Sequence, residues 1–235
     1  MIGGIEASGD AYEAVVRVGH CSGVLVNETV VLTSAHCVDE PIDHVVVGGE
    51  VLSVIECRKH PAYEPSRPDH DLAACRLGAR ANVRPMVLAE PSVLTSSERV
   101  TMIGFGQTAA LAHGPTGRRV VSTTVVRVGG NLLELGDEDH TACRGDSGGP
   151  VLVTRDDGPG RVVGLVQGPV AAICRSSTQA VLLDPLFGQI IRAKTNPTFP
   201  VGTALASMVA AAVAMALTRR ALWRRRAFAP SRGAR

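Results

Sequence analysis

The sequence contains few aromatic residues, almost no lysine and little net charge. Aromatic residues make up 3% of the 235, and only two of the 24 basic residues are Lys. With 45% hydrophobic residues and a net charge of +2, the composition excludes an intrinsically disordered chain and a strongly basic nucleic-acid binder. Gly and Pro recur without a fixed period and heptads are absent, which excludes collagen-like and coiled-coil proteins. Residues 1–195 contain no Trp and four aromatic residues, so we expect a core of aliphatic side chains.

Two kinds of catalytic motif are also missing. The sequence has no close Cys-x-x-Cys pair and no His-Glu-x-x-His segment, so neither a metal site nor another cofactor is expected. All seven His residues precede Ser147 in the segment Gly145-Asp146-Ser147-Gly148-Gly149-Pro150. An α/β-hydrolase requires its catalytic His after the Ser, so this segment is not the nucleophile elbow of that fold.

The charge is distributed unevenly along the chain. Residues 1–218 carry a net charge of −5, whereas residues 219–235 carry seven Arg and no acid. The preceding residues 199–217 include no charged side chain, and as a helix they span about 28 Å, close to the hydrocarbon thickness of a bilayer. We expect a linker at 196–198, a single transmembrane helix at 199–217 and an Arg-rich tail at 218–235. The tail places the C-terminus in the cytoplasm and the rest of the chain outside. The alternative is a buried core helix.

Short Val-rich runs separated by turn residues indicate an all-β protein ahead of that segment. β-Branched side chains favour extended backbone, and Gly-Gly pairs at 48–49 and 129–130 supply turns. A short helix is predicted near the end, where Asp184 can cap the first turn and Pro185 stands at its first position. Strands are predicted at Ala14–Val18, Ser22–Val26, Val45–Val47, Val51–Ile55, Val120–Val128, Val151–Val153 and Val162–Val166.

Six cysteines precede the apolar segment, which indicates an oxidising compartment and disulfide bonds. Six cysteines allow 15 sets of pairings, and their spacing alone does not select one. They are Cys21, Cys37, Cys57, Cys75, Cys143 and Cys174.

The candidate catalytic residues follow the order His, Asp, Ser. His36 lies in Thr33-Ser34-Ala35-His36-Cys37, after an apolar run, and Asp71 begins Asp71-Leu72-Ala73-Ala74-Cys75. Asp69 is an alternative to Asp71, but the apolar strand starts after Asp71.

Together with the segment around Ser147, these motifs make the chain resemble the chymotrypsin/trypsin family of serine proteases over about residues 1–195. The resemblance implies two packed antiparallel β-barrels, at about 1–85 and 98–183, with the active site between them and a short C-terminal helix. The use of 22 Arg against two Lys indicates a bacterial member from a GC-rich genome. Further matching segments are Ile2-Gly3-Gly4, His60-Pro61-Ala62-Tyr63 and Gly104-Phe105-Gly106.

The resemblance also implies a role for each residue of the site. Ser147 would attack the peptide carbonyl after losing its proton to His36, while Asp71 would orient the imidazole. The backbone N–H groups of Gly145 and Ser147 would form the oxyanion hole. One disulfide would lie beside the catalytic His, another would brace the specificity pocket, and the two remaining cysteines would join neighbouring strands. The resemblance implies the pairs Cys21–Cys37 and Cys143–Cys174, and the remaining Cys57 and Cys75 are paired with each other by elimination.

The chain departs from the family in the specificity pocket. Thr141 stands six residues before the nucleophile, where trypsin-like members have an Asp that pairs with a substrate Lys or Arg. With Ala142 beside it, the neutral Thr141 indicates a preference for uncharged substrate side chains. Gln167-Gly168-Pro169 stands where the family usually has Ser-Trp-Gly, so the cleft lacks an aromatic wall and Pro169 lacks a backbone donor.

The N-terminus also differs from the family's pattern. In the family, proteolysis frees an Ile or Val α-amine that pairs with the Asp preceding the nucleophile, here Asp146. Met1 takes the place of that residue, directly ahead of Ile2. We expect a longer gene product, with Val at this position behind a signal peptide and a propeptide. If Met1 is the true start, its own amine could insert.

The sequence therefore predicts a serine endopeptidase acting on proteins or peptides, with a monomeric catalytic domain held outside the cell membrane and no role in binding nucleic acid. The alternative is a protease-like binding module that no longer turns over substrate. The altered segment 167–169 and the N-terminal Met favour that alternative.

Overall fold

The computed structural model describes residues 1–7, 12–89, 94–109, 117–154, 160–171, 174–184 and 187. The chain divides into two units, Met1–Thr195 and Asn196–Arg235. The second unit, which includes the predicted membrane helix and tail, lies outside the described residues. In the described part of the chain, no helix has the length and apolar character needed to cross a bilayer.

Thirteen β-strands account for nearly all regular structure among the described residues, together with two single-turn 3₁₀ helices at Ala35–Val38 and Pro68–His70. The strands are β1 (Ile5–Glu6), β2 (Val15–Val18), β3 (Cys21–Asn27), β4 (Val30–Thr33), β5 (His44–Val47), β6 (Glu50–Lys59), β7 (Ala73–Leu77), β8 (Arg99–Gly104), β9 (Arg119–Gly129), β10 (Leu132–Leu135), β11 (Pro150–Val153), β12 (Arg161–Pro169) and β13 (Thr178–Leu182).

The first barrel is a closed antiparallel sheet in the order β2-β3-β4-β7-β6-β5, in which β5 pairs back to β2. Closure removes free sheet edges, so every strand finds partners on both sides. Gly48 and Gly49 connect β5 to β6 with φ of +57° and +84°, a backbone that glycine adopts without steric cost.

The second barrel contains six strands in the order β9-β10-β13-β12-β11-β8, closed by pairing of β8 with β9. The short strand β1 pairs antiparallel with β9 of this barrel, with Ile5 opposite Val120. This corrects the predicted boundary, which assigns residues 1–85 to the first barrel. The extreme N-terminus crosses to the second barrel because Ile2 N–H binds the carbonyl of Thr141 at 2.9 Å.

The two barrels confirm the all-β, chymotrypsin-like architecture. Each of the seven predicted Val-rich runs overlaps a strand. The strands β10 and β13 together contain a single Val, in the segments Leu-Leu-Glu-Leu and Thr-Gln-Ala-Val-Leu, so the Val pattern does not indicate them. The largest fully buried side chains are aliphatic or Met, apart from Phe187.

Part of the predicted C-terminal helix falls on described residues. Asp184 Oδ1 accepts the backbone N–H of Phe187 at 2.7 Å, the spacing of an N-cap. Pro185, the predicted first residue of that helix, lies outside the described residues.

Three disulfides join Cys21 to Cys37, Cys57 to Cys75 and Cys143 to Cys174, the pairs expected from the sequence. Cys57 and Cys75 stand directly opposite each other on β6 and β7, so this bridge crosses two neighbouring strands.

Replacing Cys57 and Cys75 together by Ser should lower the free energy of unfolding by about 3 kcal/mol, because the open chain regains the entropy of an 18-residue loop. Urea denaturation followed by fluorescence or circular dichroism measures the change. An unchanged midpoint would contradict the expectation, and an intact near-ultraviolet spectrum at zero urea would show that the variant is folded.

Candidate active site

The imidazole and carboxylate of the candidate site come from neighbouring strands. His36 lies in the 3₁₀ helix that directly follows β4, and Asp71 lies just before β7. Because β4 and β7 pair with Thr33 opposite Ala73, the end of one strand and the start of the other meet at the same rim of the first barrel.

Asp71 contacts His36 with both carboxylate oxygens. Asp71 Oδ2 lies 2.6 Å from His36 Nδ1, and Asp71 Oδ1 accepts the backbone N–H of His36 at 2.9 Å. The Asp71 side chain is 2% exposed, whereas the His36 ring is 34% exposed. The buried carboxylate therefore fixes the ring and leaves its other edge open. Asp69, the alternative, points elsewhere and pairs with Arg67 Nη2 at 2.8 Å.

Ser147 lies in the tight loop before β11, on the second barrel. Its carbonyl accepts the N–H of Ser22 at 2.8 Å, and its Oγ donates to the carbonyl of Gln167 at 2.7 Å. A Cβ on the following Gly148 would lie 2.2 Å from Thr33 Oγ1, so only glycine lets this loop approach the first barrel so closely.

The two halves of the candidate triad approach each other through the disulfide beside His36. Ser22, whose N–H binds the carbonyl of Ser147, directly follows Cys21 in the chain. Cys21 in turn forms a disulfide with Cys37, the neighbour of His36. The structure thus joins His36 to Asp71 and holds Ser147 on the facing barrel, with the serine hydroxyl on Gln167 and no hydrogen bond to His36.

The backbone N–H groups of Gly145 and Ser147 have no acceptor among the described residues. Gly145 adopts φ of +94°, and the peptide that carries its N–H is held from the other side, where Gln107 N–H binds the carbonyl of Arg144 at 2.9 Å. Two free donors flank the Ser147 side chain, as stabilisation of an oxyanion requires.

Asp146 is fully buried beside the α-amine of Met1. The amine lies 2.9 Å from Asp146 Oδ2, and both side chains have no exposed surface. Backbone N–H groups of Gly106 and Cys143 donate to the same carboxylate at 2.8 and 2.9 Å. Burial lowers the pKa of the amine and raises the pKa of the carboxyl, because each charged form loses its water.

Gln107 connects this ion pair to the free donors. Its carbonyl accepts a hydrogen bond from the Met1 amine, while its N–H holds the Arg144 carbonyl. The backbone of Gln107 thus contacts both the charged N-terminus and the peptide that bears the Gly145 N–H. Sequence reasoning missed Gln107, and no local pattern in the sequence marks it.

The predicted specificity residues fall into two groups. Thr141 and Ala142 have no exposed surface, whereas Gln167, Gly168 and Pro169 are half-buried. A Cβ at Gly168 would meet nothing within 4 Å, so the place of the missing aromatic side chain is open space.

Thr178 is a further residue of this region that the sequence does not indicate. Its Oγ1 accepts the N–H of Ala142 at 2.7 Å and lies 3.0 Å from Thr141 Oγ1. It stands opposite Pro169 across β12 and β13. Its role depends on a strand register, which spacing in the sequence cannot reveal.

The chain is similar in sequence to several known proteins. Residues 1–179 match the family described as Trypsin. The chain is 33% identical to kallikrein-7 of Homo sapiens over 161 residues, covering 57% of this chain and 62% of that protein. It is 26% identical to a trypsin of Phaedon cochleariae, covering 71% and 77%.

Phenoloxidase-activating factor 1 of Holotrichia diomphalia is also similar, at 26% identity over 192 residues that cover 57% of this chain and 50% of that protein. The chain thus spans half the length of this relative and less than two thirds of kallikrein-7. Since the family match extends over most of the sequence, the chain belongs to the trypsin family of serine proteases.

Proposed function

We propose that the chain is a serine endopeptidase that hydrolyses peptide bonds through an acyl-enzyme formed on Ser147. The observation that carries the proposal is the contact of 2.6 Å between His36 Nδ1 and the buried carboxylate of Asp71. A buried carboxylate at this position selects the tautomer with a proton on Nδ1 and leaves Nε2 as the base.

In the first half-reaction, the Ser147 hydroxyl leaves the Gln167 carbonyl and turns toward His36 Nε2. Its oxygen bonds to the substrate carbonyl carbon as its proton passes to His36, and the resulting oxyanion accepts the N–H groups of Gly145 and Ser147. The C–N bond breaks as His36 returns the proton to the leaving amine. Water then repeats the sequence on the ester and releases the carboxylic acid.

A fluorophosphonate probe tests this function directly, because it phosphonylates only a serine that a nearby base activates. We expect a stoichiometric adduct that peptide mass mapping locates on Ser147, together with hydrolysis of denatured casein by the unlabelled protein. A folded protein that neither reacts nor cleaves casein would instead support the protease-like binding module.

We further propose that the enzyme prefers small uncharged side chains at the residue whose carbonyl is attacked. The hydroxyls of Thr141 and Thr178 bind each other in the interior, and no carboxylate among the described specificity residues faces them to pair with a substrate cation. Pro169 stands across from Thr178, so an apolar ring lies opposite these hydroxyls.

Peptide amides that differ only at this residue should show the preference. We expect kcat/KM for Ala or Val to exceed that for Arg by about 10–100-fold, since an unpaired buried cation is costly and a missing methylene is not. Peptides with Arg moved two residues away serve as the control. Faster cleavage after Arg would refute the preference.

The catalytic domain is proposed to be tethered to a membrane through residues 199–217, outside the cytoplasm. The uncharged run and the seven Arg that follow it support this arrangement. After extraction of membranes with alkaline carbonate, the full chain should remain in the pellet and a chain ending at residue 198 should be released. Release of both would contradict the tether.

A further inference from the structure

A cluster of two His and one Asp lies behind the candidate active site. It draws on three distant parts of the chain: His60 just after β6, His70 in the 3₁₀ helix before Asp71, and Asp184 just after β13. One nitrogen of each ring and one oxygen of the carboxylate lie within 4.8 Å of one another.

The His60 ring is the buried centre of this cluster. Its side chain is 2% exposed, and it stacks on the His70 ring with centroids 4.7 Å apart. Its Nε2 lies 2.9 Å from Asp184 Oδ2 but makes no well-aligned hydrogen bond. A buried polar atom without an aligned partner is uncommon in a native protein, and this one points at two further metal-ligating side chains.

The neighbours of His70 and Asp184 hold both side chains in place. His70 Nδ1 lies 3.4 Å from Asp69 Oδ2, and His70 Nε2 lies 3.5 Å from Asn131 Nδ2, a contact that a metal ion bound at Nε2 would replace. Asp184 Oδ1 is occupied by the N–H of Phe187, which leaves Oδ2 facing the cluster. A carboxylate behind a ligating His is the usual outer support of a metal site.

We propose that His60, His70 and Asp184 bind a divalent transition metal, with Zn²⁺ as the best match. Two imidazoles and one carboxylate are a ligand set that Zn²⁺ accepts, with a water at the fourth position. Ca²⁺ and Mg²⁺ fit this set of ligands poorly because both ions prefer oxygen donors. The cluster Cys21, His36 and Cys37 is not a competitor, since both sulfurs form a disulfide.

One contact lowers the affinity of the site. Ala62 N–H donates to His60 Nδ1 at 3.1 Å, so the proton of the neutral ring sits on Nε2 in the metal-free protein. Metal binding at Nε2 moves that proton to Nδ1, and Ala62 N–H loses its acceptor. The site is therefore reversible and weaker than a closed site of four Cys or His ligands.

Metal binding also acts on Asp71. His70 precedes Asp71 in the sequence, and the backbone N–H of His60 binds the carbonyl of Leu72 at 2.7 Å. Ligands of one tetrahedral Zn²⁺ lie about 3.3 Å apart at bond lengths near 2 Å, so binding must change the spacing of the three side chains, including the 2.9 Å contact between His60 Nε2 and Asp184 Oδ2. We infer that bound Zn²⁺ displaces the Asp71 carboxylate from His36 and slows turnover. This part rests on the proposed function, whereas the binding site does not.

Titration of the full chain with Co²⁺ tests the binding site without reference to activity. Tetrahedral Co²⁺ gives visible absorption bands, and Zn²⁺ added afterwards should remove them at one equivalent. Asp184→Asn keeps an oxygen for the Phe187 N–H and should weaken Co²⁺ binding at least 10-fold, as should His70→Asn. Asp69→Asn should weaken it by about 10–100-fold. His140→Asn, at an exposed His on the other barrel, should leave binding unchanged. Absence of the bands, or equal loss in the His140 variant, would overturn the site.

Peptide hydrolysis with and without Zn²⁺ tests the coupling. Saturating Zn²⁺ should lower kcat about 10-fold or more with little change in KM, and Asp184→Asn should remove most of this inhibition while keeping metal-free activity. Inhibition that persists in Asp184→Asn would overturn the coupling, because it would place the inhibitory metal elsewhere. If Co²⁺ binds but the protein shows no protease activity in any condition, the proposed function fails and the metal site stands.

Discussion

Ser147→Ala should reduce kcat by a factor of at least about 10⁴ and abolish fluorophosphonate labelling, while the protein remains folded. The hydroxyl is the nucleophile that attacks the peptide bond in the proposed mechanism, and its removal leaves the free N–H groups of Gly145 and of position 147 to act on substrate alone. Removal of the nucleophile in enzymes of this kind costs about 10⁶ in kcat, and the residual rate comes from binding and the oxyanion hole.

Ser122→Ala is the matched control. Ser122 is exposed on β9, where its Oγ lies 3.4 Å from Thr101 Oγ1, far along the chain from the site. The Ser122→Ala protein should retain full activity and full fluorophosphonate labelling. Steady-state hydrolysis of a peptide amide, with active sites counted by the probe, measures both variants. A Ser147→Ala protein that retained a tenth of the activity would show that another group performs the chemistry.

Much of this site was accessible from the sequence, because its parts lie in short segments whose residues are adjacent in the chain. The Ser147 loop, His36 beside Cys37 and Asp71 ahead of an apolar strand each carry their own local signature. Strand pairing then brings the ends of β4 and β7 together, so local signatures are sufficient to indicate His36 and Asp71.

The features that the sequence does not reveal depend on contacts between distant segments. Thr178 matters because a strand register sets it opposite Pro169. The cluster of His60, His70 and Asp184 has no spacing that resembles a metal motif, which is why the sequence predicts no metal. Placement of β1 on the second barrel follows from the N-terminal contacts with Thr141, and hydrophobic periodicity carries no information about them.

The second large effect is expected at the buried ion pair. Asp146→Asn should lower kcat/KM by roughly 10²–10⁴-fold, because removal of one partner from a buried pair costs about 3–5 kcal/mol and each 1.36 kcal/mol is a factor of ten. The loss acts through Gln107: without the pair, the amine no longer holds the Gln107 carbonyl, and the peptide that presents the Gly145 N–H is free to turn.

The same pair should limit activity at both ends of the pH range. The amine must be protonated, so activity should fall as pH rises through its pKa, which burial places below the ordinary value of 8.0. The carboxyl must be ionised, so activity should fall as pH decreases through its pKa, which burial raises above 3.8. Burial thus narrows the pH range of activity at both its acid and its alkaline end.

A protein that carries one removable residue ahead of Met1 separates this mechanism from a loss of fold. The extension carries the α-amine away from Asp146, so kcat/KM should fall as in Asp146→Asn, and proteolytic removal of the residue should restore it. The alkaline limb should disappear in the extended protein, whose remaining activity no longer depends on the Met1 amine. Full activity with the extension in place would refute the role of the pair, because the buried carboxylate would then be tolerated without its cation.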